Sequence, residues 1–202
     1  MLTRFKERVQ SLLGTEAKLL HRYGFTPNRI SAMGILFAFL SACSYWAWAW
    51  EKNNLFILFG AIFFIISGFW DALDGVMARL YGETTIFGGF LDSLLDRYAD
   101  AFIFIALITS RLCDPISGFG ALVGSLLVSY ARARAEAAGT KMETIGLAER
   151  AERIIILTGA SLIGMFKPEA ISWSIIILAV LTNFTVLQRT IYFYNASKHE
   201  ES

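Results

Sequence analysis

Four aspartates stand at regular spacing inside two strongly apolar stretches of the 202-residue chain. Asp71 and Asp74 lie three residues apart in the first stretch, and Asp92 and Asp96 lie four residues apart in the second. Residues three or four apart share one face of a helix, so each pair projects from one side of its element. Ionisable groups within a bilayer are costly and usually mark a site or a pathway. We therefore expect the four carboxylates to converge on a shared cationic partner.

A divalent metal is the partner that this set of ligands favours. Like charges crowded in a low-dielectric site would otherwise force some of the carboxylates to stay protonated. Oxygen ligands without histidine or cysteine suit Mg²⁺, Mn²⁺ or Ca²⁺ better than zinc or copper. Two metals held by shared carboxylates could clamp a phosphoryl group between an attacking and a leaving oxygen. The alternative is a set of aspartates that face a cytoplasmic vestibule and hold no metal.

The elements that carry these aspartates belong to a membrane domain. Hydrophobic residues make up 55% of the chain, and its mean hydropathy is +0.53. A membrane-spanning helix needs roughly 20 predominantly apolar residues. We predict one all-α integral membrane domain over residues 1–202, with a bundle of six transmembrane helices over residues 26–195. The predicted spans are 30–50, 55–80, 87–112, 116–137, 153–165 and 171–193.

Both ends of the chain differ from the predicted bundle. Residues 1–25 read as an amphipathic helix lying on the membrane interface, and a helix packed on the protein surface is the equal alternative. Its apolar residues recur at helical spacing: Leu2, Phe5, Val9, Leu12 and Leu13. Residues 196–202 form a polar tail that we expect to be disordered.

Basic residues predict how the bundle is oriented. They concentrate near the N-terminus and on the loops of the same side, whereas the opposite loops offer only Lys52, Arg111 and Lys167. Cytoplasmic loops carry the excess of lysine and arginine. We therefore predict a multi-pass protein of the cell membrane with both termini and the aspartates facing the cytoplasm. No feature of the sequence indicates a nucleic-acid partner.

The aspartates also belong to a longer pattern, D-x2-D-G-x2-A-R-x8-G-x3-D-x3-D, over residues 71–96. This pattern resembles the signature of the CDP-alcohol phosphotransferases, with every fixed position present. The resemblance implies a homodimeric membrane enzyme that displaces CMP from a CDP-activated lipid and uses two Mg²⁺ or Mn²⁺ ions. It implies that Asp71 and Asp92 are shared by both metals and that Asp74 binds one. Asp96 would help to hold the second metal and take the proton from the attacking hydroxyl.

The same resemblance assigns contacts to the CDP-activated lipid. Glycine permits close approach, arginine answers phosphate charge and threonine supplies a hydroxyl. The implied contacts are Gly75, Arg79 and Thr85, with Asn28, Arg29, Ile30 and Ser31 just before the first span.

Arginines in the second half of the chain point to an acceptor that carries its own phosphate. Guanidinium groups bind phosphate through two parallel hydrogen bonds, and a neutral polyol would not need several of them. The segments 129–136 and 146–153 resemble phosphatidylinositol phosphate and archaetidylinositol phosphate synthases, which use inositol 1-phosphate. The implied acceptor-phosphate contacts are Arg132, Arg134, Arg153 and Arg189. Alternatively these arginines set the orientation, or pair with Glu136, Glu149 and Glu152.

Other functions remain open from the sequence. Glycerol 3-phosphate is a second phosphorylated acceptor that this family uses, and a soluble CDP-alcohol is a second class of donor. Carboxylates within a membrane also line ion pathways, so a divalent-cation transporter is the rival from outside the family. A structural membrane protein without activity is the weakest alternative, because the acidic motif has no evident use in packing.

Overall fold

The computed structural model describes residues 13–142 and 145–200, except for the side chains of residues 199 and 200. Every regular element in these residues is a helix. The helices are α1 (residues 13–22), α2 (Pro27–Glu51), α3 (Leu55–Tyr81), α4 (Ile86–Thr109), α5 (Pro115–Ala137), α6 (Arg150–Gly164) and α7 (Glu169–Glu200).

Turn-forming residues set the limits of the helices that carry the aspartates. α2 begins with Pro27 at its first position, where proline has no intrahelical hydrogen bond to lose. α3 ends at Gly82, whose φ of 64° is the left-handed conformation that glycine adopts readily. Three residues later the Thr85 side chain accepts a hydrogen bond from the Gly88 amide at 2.9 Å and caps α4. This short connection keeps the end of α3 close to the start of α4, the two helices that carry the aspartates.

Each of the six predicted spans contains a helix, and the protein has the character of an integral membrane protein. By length and composition, α2, α3, α5 and α7 are apolar enough to cross a bilayer. Among the described helices, α4 fails this criterion because four charged side chains lower its hydropathy: Asp92, Asp96, Arg97 and Asp100. α6 fails because it has only 15 residues. The number of spans therefore stays a prediction.

The two ends of the chain differ from what the sequence suggested. Residues 1–12 of the predicted interfacial helix lie outside the described residues. The described helix α1 buries Leu13 and Ala17 against α2 and α3, so this part packs on the protein. The prediction of a disordered tail is wrong through residue 200, because residues 196–200 continue α7. The polar side chains of that last stretch do not prevent a helix that has already been nucleated from continuing.

Helix α2 organises the half of the bundle that contains the motif. It packs along both α3 and α4, whereas α3 and α4 make few close backbone contacts with each other in the described residues. Deep in the bundle, the Tyr45 hydroxyl hydrogen bonds to Ser161 of α6 at 2.9 Å. A Cβ on Gly60 would lie 2.8 Å from the Tyr45 ring, so the absence of a side chain at Gly60 leaves the space that this ring fills. The aspartates of α3 and α4 therefore project into a space that backbone packing does not close.

Helix α7 holds the loop that leads into α6. The Thr185 hydroxyl accepts hydrogen bonds from the amides of Leu147 and Ala148, both at 3.2 Å. The Arg189 Nε donates to the Ile145 carbonyl at 2.7 Å. Buried polar backbone groups need such partners. These bonds fix where α6 begins, and thus where its first arginines stand.

Candidate active site

Three of the four predicted aspartates meet between α3 and α4. Each of Asp71, Asp74 and Asp92 offers a carboxylate oxygen, and these oxygens all lie within 4.8 Å of one another. Asp74 is buried, and its carboxylate accepts a hydrogen bond from the Ser31 hydroxyl of α2. α2 therefore orients one carboxylate of the cluster, in addition to packing along the two helices that supply it.

Asp96 joins this group through an arginine. The Arg150 Nη1 atom, at the start of α6, contacts carboxylate oxygens of both Asp71 and Asp96. Asp71, Asp92, Asp96 and Arg150 together line a small gap of about 10 Å³. The four carboxylates thus surround one region, with Asp96 at its edge.

The donor set fits a divalent metal. Its three clustered groups are carboxylates, which are the ligands that Mg²⁺ and Mn²⁺ prefer. Their oxygens are close enough for one ion to contact several of them. Side chains from two different helices contribute, so a metal here would also link α3 to α4.

A cavity of about 170 Å³ lies on one side of the aspartates, and we call it the small cavity. It contains five of the seven predicted contacts to the CDP-activated lipid: Asn28, Ser31, Gly75, Arg79 and Thr85. A Cβ on Gly75 would lie 3.3 Å from the Arg79 Nη1 atom, so glycine leaves room for this guanidinium. Arg79 forms no ion pair with any described carboxylate. Its charge remains available to a bound anion.

The other two predicted contacts lie elsewhere. The Arg29 Nη1 atom donates to the Gly24 carbonyl at 3.0 Å and is absent from the small cavity. Ile30 is fully buried beside Leu73 and Met77 in the cluster that holds α1. Consecutive helical residues point about 100° apart, so a contiguous stretch cannot face one ligand. Only Asn28 and Ser31 of this stretch face the cavity.

A second cavity, of about 440 Å³, lies on the other side of the aspartates, and we call it the large cavity. Its walls are strongly charged. The carboxylate residues are Asp92, Asp96, Glu136 and Glu149, and the arginines are Arg97, Arg132, Arg150, Arg153 and Arg189. Arg134, a predicted phosphate contact, is exposed and does not line this cavity.

The predicted arginines of the large cavity already have protein partners. Arg153 is buried and donates from Nη2 to Asp100 at 2.5 Å and from Nη1 to the Ala148 carbonyl at 3.0 Å. Arg132 pairs with Glu136 at 2.8 Å. The alternative of arginine–glutamate pairing thus holds for Arg132, and also for Arg189, which pairs with Glu149. The chemical consequence is that these cations are held in fixed positions.

Arg189 is the most constrained of these cations. Its Nη1 donates to the Val128 carbonyl at 2.6 Å and its Nη2 to Glu149 at 2.8 Å, in addition to the Nε bond with the α5–α6 loop. Arg189 therefore ties α5, the α5–α6 loop and Glu149, which immediately precedes α6, to α7, and it lines the large cavity.

Arg150 and Asp100 are site residues that the sequence reasoning did not assign. Asp100 follows Asp96 by four residues and Asp92 by eight, so the helical face of α4 that carries the motif extends to it. That spacing was a usable signal. Arg150 precedes Arg153 by three residues, yet nothing in the spacing identifies its partners on α3 and α4. Its role depends on how α6 docks.

The two cavities meet at the aspartates. Asp92 lines the small cavity, the large cavity and the gap between them. Asp96 lines the gap and the large cavity only. A molecule in either cavity would therefore present its reactive group to the same carboxylates.

Comparison with known proteins agrees with this arrangement. A family model described as CDP-alcohol phosphatidyltransferase matches residues 25–186. The archaetidylinositol phosphate synthase of Pyrococcus horikoshii is 36% identical over 201 residues, which cover 100% of this chain and 99% of that protein. These matches confirm the resemblance on which the sequence interpretation was based.

Solved structures extend the agreement to the fold. The Mycobacterium tuberculosis phosphatidylinositol phosphate synthase in complex with manganese and citrate matches with a TM-score of 0.77 and 30% identity, covering 90% of this chain and 88% of that one. The same enzyme with CDP-DAG bound matches with a TM-score of 0.72 and 30% identity, covering 91% and 94%.

Proposed function

Because this chain belongs to the CDP-alcohol phosphatidyltransferase family, and is therefore a transferase, we propose that it joins a CDP-activated lipid to inositol 1-phosphate and releases CMP. The transferred group is phosphatidyl or archaetidyl. The donor class follows the family and the mycobacterial enzyme that binds CDP-DAG. The acceptor follows relatives that are an archaetidylinositol phosphate synthase and a phosphatidylinositol phosphate synthase.

One observation carries the proposal: two cavities of different character meet at the aspartates. The small cavity offers Arg79 to a diphosphate, with Gly75 permitting close approach and Asn28 and Thr85 supplying polar contacts. The large cavity is rich in arginines and is wide enough for a phosphorylated ring. A donor and an acceptor bound in these positions would face each other across Asp92.

The aspartates have separate roles in the proposed two-metal reaction. Asp71 and Asp92 would be shared by both ions, Asp74 would hold one ion and Asp96 would help to hold the other. Mg²⁺ or Mn²⁺ bound there would stabilise charge on the phosphates and lower the pKa of the attacking hydroxyl. Manganese in the mycobacterial structure supports this choice of metal.

The protein's own groups orient the substrates and move one proton. Asp96 lines the large cavity, so its carboxylate takes the proton from the acceptor hydroxyl. The hydroxyl oxygen then bonds to the phosphorus that carries the lipid. The bond from that phosphorus to the bridging oxygen breaks, and CMP leaves with the electron pair. Arg153, Arg132 and Arg189 bind the phosphate that the acceptor carries. This phosphate is not changed by the reaction.

We also propose that all six helices α2 to α7 span the cell membrane, with the aspartates facing the cytoplasm. Asp92, Asp96 and Arg97 of α4 line the large cavity, and Asp100 is buried against Arg153, so these charged side chains avoid lipid. A 15-residue α6 rises roughly 22 Å, and the polar loop before it completes the crossing. The protein works as a homodimer, as the resemblance implies.

An acceptor panel tests the proposal. Purified protein with Mg²⁺ or Mn²⁺ is given a CDP-activated lipid and either inositol 1-phosphate, glycerol 3-phosphate or free inositol, and CMP release is measured. We expect turnover with inositol 1-phosphate to exceed that with glycerol 3-phosphate by at least about tenfold, since a missing set of polar contacts costs several kcal/mol. Asp96→Asn, which cannot accept the proton, is the inactive control. Preference for glycerol 3-phosphate would overturn the acceptor, and no CMP from any acceptor would overturn the reaction.

A further inference from the structure

The positively charged side chain of Arg150 lies among the aspartates, in the place where a divalent metal would be expected to neutralise their negative charge. Its Nη1 atom contacts the carboxylates of Asp71 on α3 and Asp96 on α4. Its side chain is only 15% exposed. The guanidinium therefore contacts Asp71, one of the three clustered carboxylates that could hold a divalent cation, and Asp96 beside them.

The surroundings of Arg150 leave space for its guanidinium to take a second position. It lines both the gap between the aspartates and the large cavity, a property that it shares only with Asp92 and Asp96 among the described lining residues. Its Nε atom is buried and has no hydrogen-bond partner in the described part of the chain. An arginine has a long side chain, so its guanidinium can move several ångströms while the start of α6 stays fixed. The large cavity is the open space that it can enter.

We propose that Arg150 is an internal cation that competes with metal for Asp71 and Asp96 and, once released, binds the phosphate of the acceptor. This inference rests on the proposed function for the roles of the two cavities. Two positive groups cannot share the same carboxylate oxygens without strong repulsion, so metal binding displaces the guanidinium. Displacement adds Arg150 to the cations of the large cavity.

Coupling between the two sites follows from this exchange. If metal releases Arg150 towards the large cavity, metal raises the affinity of that cavity for phosphate. The reverse holds by the same factor, because a coupling free energy between two ligands is reciprocal. Phosphate in the large cavity holds Arg150 away from the aspartates and so tightens metal binding. The acceptor site would thus be strongest only when the metal site is filled.

Metal binding without turnover tests the proposal. Mn²⁺ affinity is measured by electron paramagnetic resonance for wild type, Arg150→Gln and Arg150→Lys, with no CDP-lipid present. Each is titrated alone, with inorganic phosphate and with inositol 1-phosphate. In wild type we expect phosphate to tighten Mn²⁺ binding about fivefold or more, the low end of typical couplings. In Arg150→Gln, Mn²⁺ alone should bind at least about threefold more tightly, because one competing charge is gone, and the phosphate effect should fall towards none.

Control variants distinguish competition between Arg150 and the metal from a role in which Arg150 only stabilises the site. Arg150→Lys keeps the charge and should behave like wild type for Mn²⁺ alone. Arg134→Gln removes an exposed positive charge from the same side and should leave Mn²⁺ binding unchanged. If Arg150→Gln binds Mn²⁺ no more tightly than wild type, or keeps the full phosphate effect, the proposal is wrong. If Arg150→Gln does not fold, as judged by gel filtration, Arg150→Ala and Arg150→Met provide the same comparison, and failure of all three to fold would favour a structural role and overturn the proposal.

The result also stands apart from the acceptor assignment. Inorganic phosphate reports the coupling even if inositol 1-phosphate is not the acceptor. An acceptor panel that favours glycerol 3-phosphate would leave these binding results intact, whereas a wild-type protein without coupling would overturn the role of Arg150 and leave the proposed transferase reaction standing.

Discussion

At the scale of single residues, Asp100 has a defined task. Its carboxylate is buried and holds Arg153, the buried cation of the large cavity. A buried ion pair that loses one partner leaves an uncompensated charge, which typically costs about 3–5 kcal/mol. Asp100 therefore supports both the stability of the bundle and the direction of Arg153.

We expect Asp100→Asn to lower the thermal midpoint of the protein and to raise KM for the acceptor, while KM for the CDP-lipid changes little. The lost carboxylate lets Arg153 turn away from its position, and the small cavity has no contact with either residue. Thermal denaturation in detergent and steady-state kinetics check these results.

Glu136→Gln is the matched control for stability. It removes the partner of Arg132 in a pair whose side chains are each 40% exposed, and exposed pairs contribute about 1 kcal/mol or less. Equal loss of stability in both variants would contradict the role given to Asp100.

The sequence predicted the aspartates well and the arginines less well. Asp71, Asp74 and Asp92 could be placed together because helical spacing and a short turn determine their faces. Arg29 and Ile30 were predicted as part of a continuous stretch of contacts, and helical geometry turns them away from the small cavity. The contacts of Arg150 depend on the docking of α6 against α3 and α4, which local patterns do not encode.

At the scale of elements, small residues set the approach of α5 to α7. A Cβ on Gly124 would lie 2.8 Å from both the Thr182 Cβ and the Asn183 amide nitrogen. At Gly120 the nearest atom to an added Cβ is the Ala179 Cβ, at 3.5 Å. These glycines therefore pack within one subunit and differ in how much room they leave.

We expect Gly124→Ala to destabilise the protein by about 1–3 kcal/mol, the usual cost of overpacking a close contact. Gly120→Ala should be neutral or slightly stabilising, since alanine favours helix and fits in ordinary contact. Thermal midpoints of the two purified variants in detergent provide the comparison. Similar midpoints would show that the α5–α7 approach can relax.

Helix positions were largely predictable, whereas the character of two helices was not. The predicted span 55–80 is observed as Leu55–Tyr81, and 116–137 is observed as Pro115–Ala137. Apolar runs and turn residues give these limits. α4 departs from the apolar pattern because it carries charged side chains that line the site, and α6 departs from it because the helix is short. The hydropathy signal of α4 is therefore weakest where the helix carries its site residues.

At the scale of the whole molecule, orientation can be measured with single cysteines. In a variant with Cys43 and Cys113 replaced by alanine, Glu51→Cys and Lys141→Cys place one exposed thiol at each side of the bundle. We expect a membrane-impermeant maleimide to label Glu51→Cys in intact cells and Lys141→Cys only after permeabilisation. The reason is that the basic loops remain in the cytoplasm.

Labelling after detergent solubilisation is the control that both thiols are accessible. Reversed labelling in intact cells would place the site outside and contradict the orientation. Such a result would also mean that the small cavity opens on the side of the membrane without a supply of cytidine nucleotides.

Asp92, which lines both cavities, has a consequence for the kinetics of the proposed reaction. Because Asp92 borders both spaces, neither substrate has to leave before the other can enter. In the proposed reaction, the lipid group would pass directly from one bound molecule to the other, with no stage in which the protein itself carries it. The order of events is then that of a ternary complex: reciprocal rate plots that intersect, and no exchange of labelled CMP into the donor until an acceptor is present.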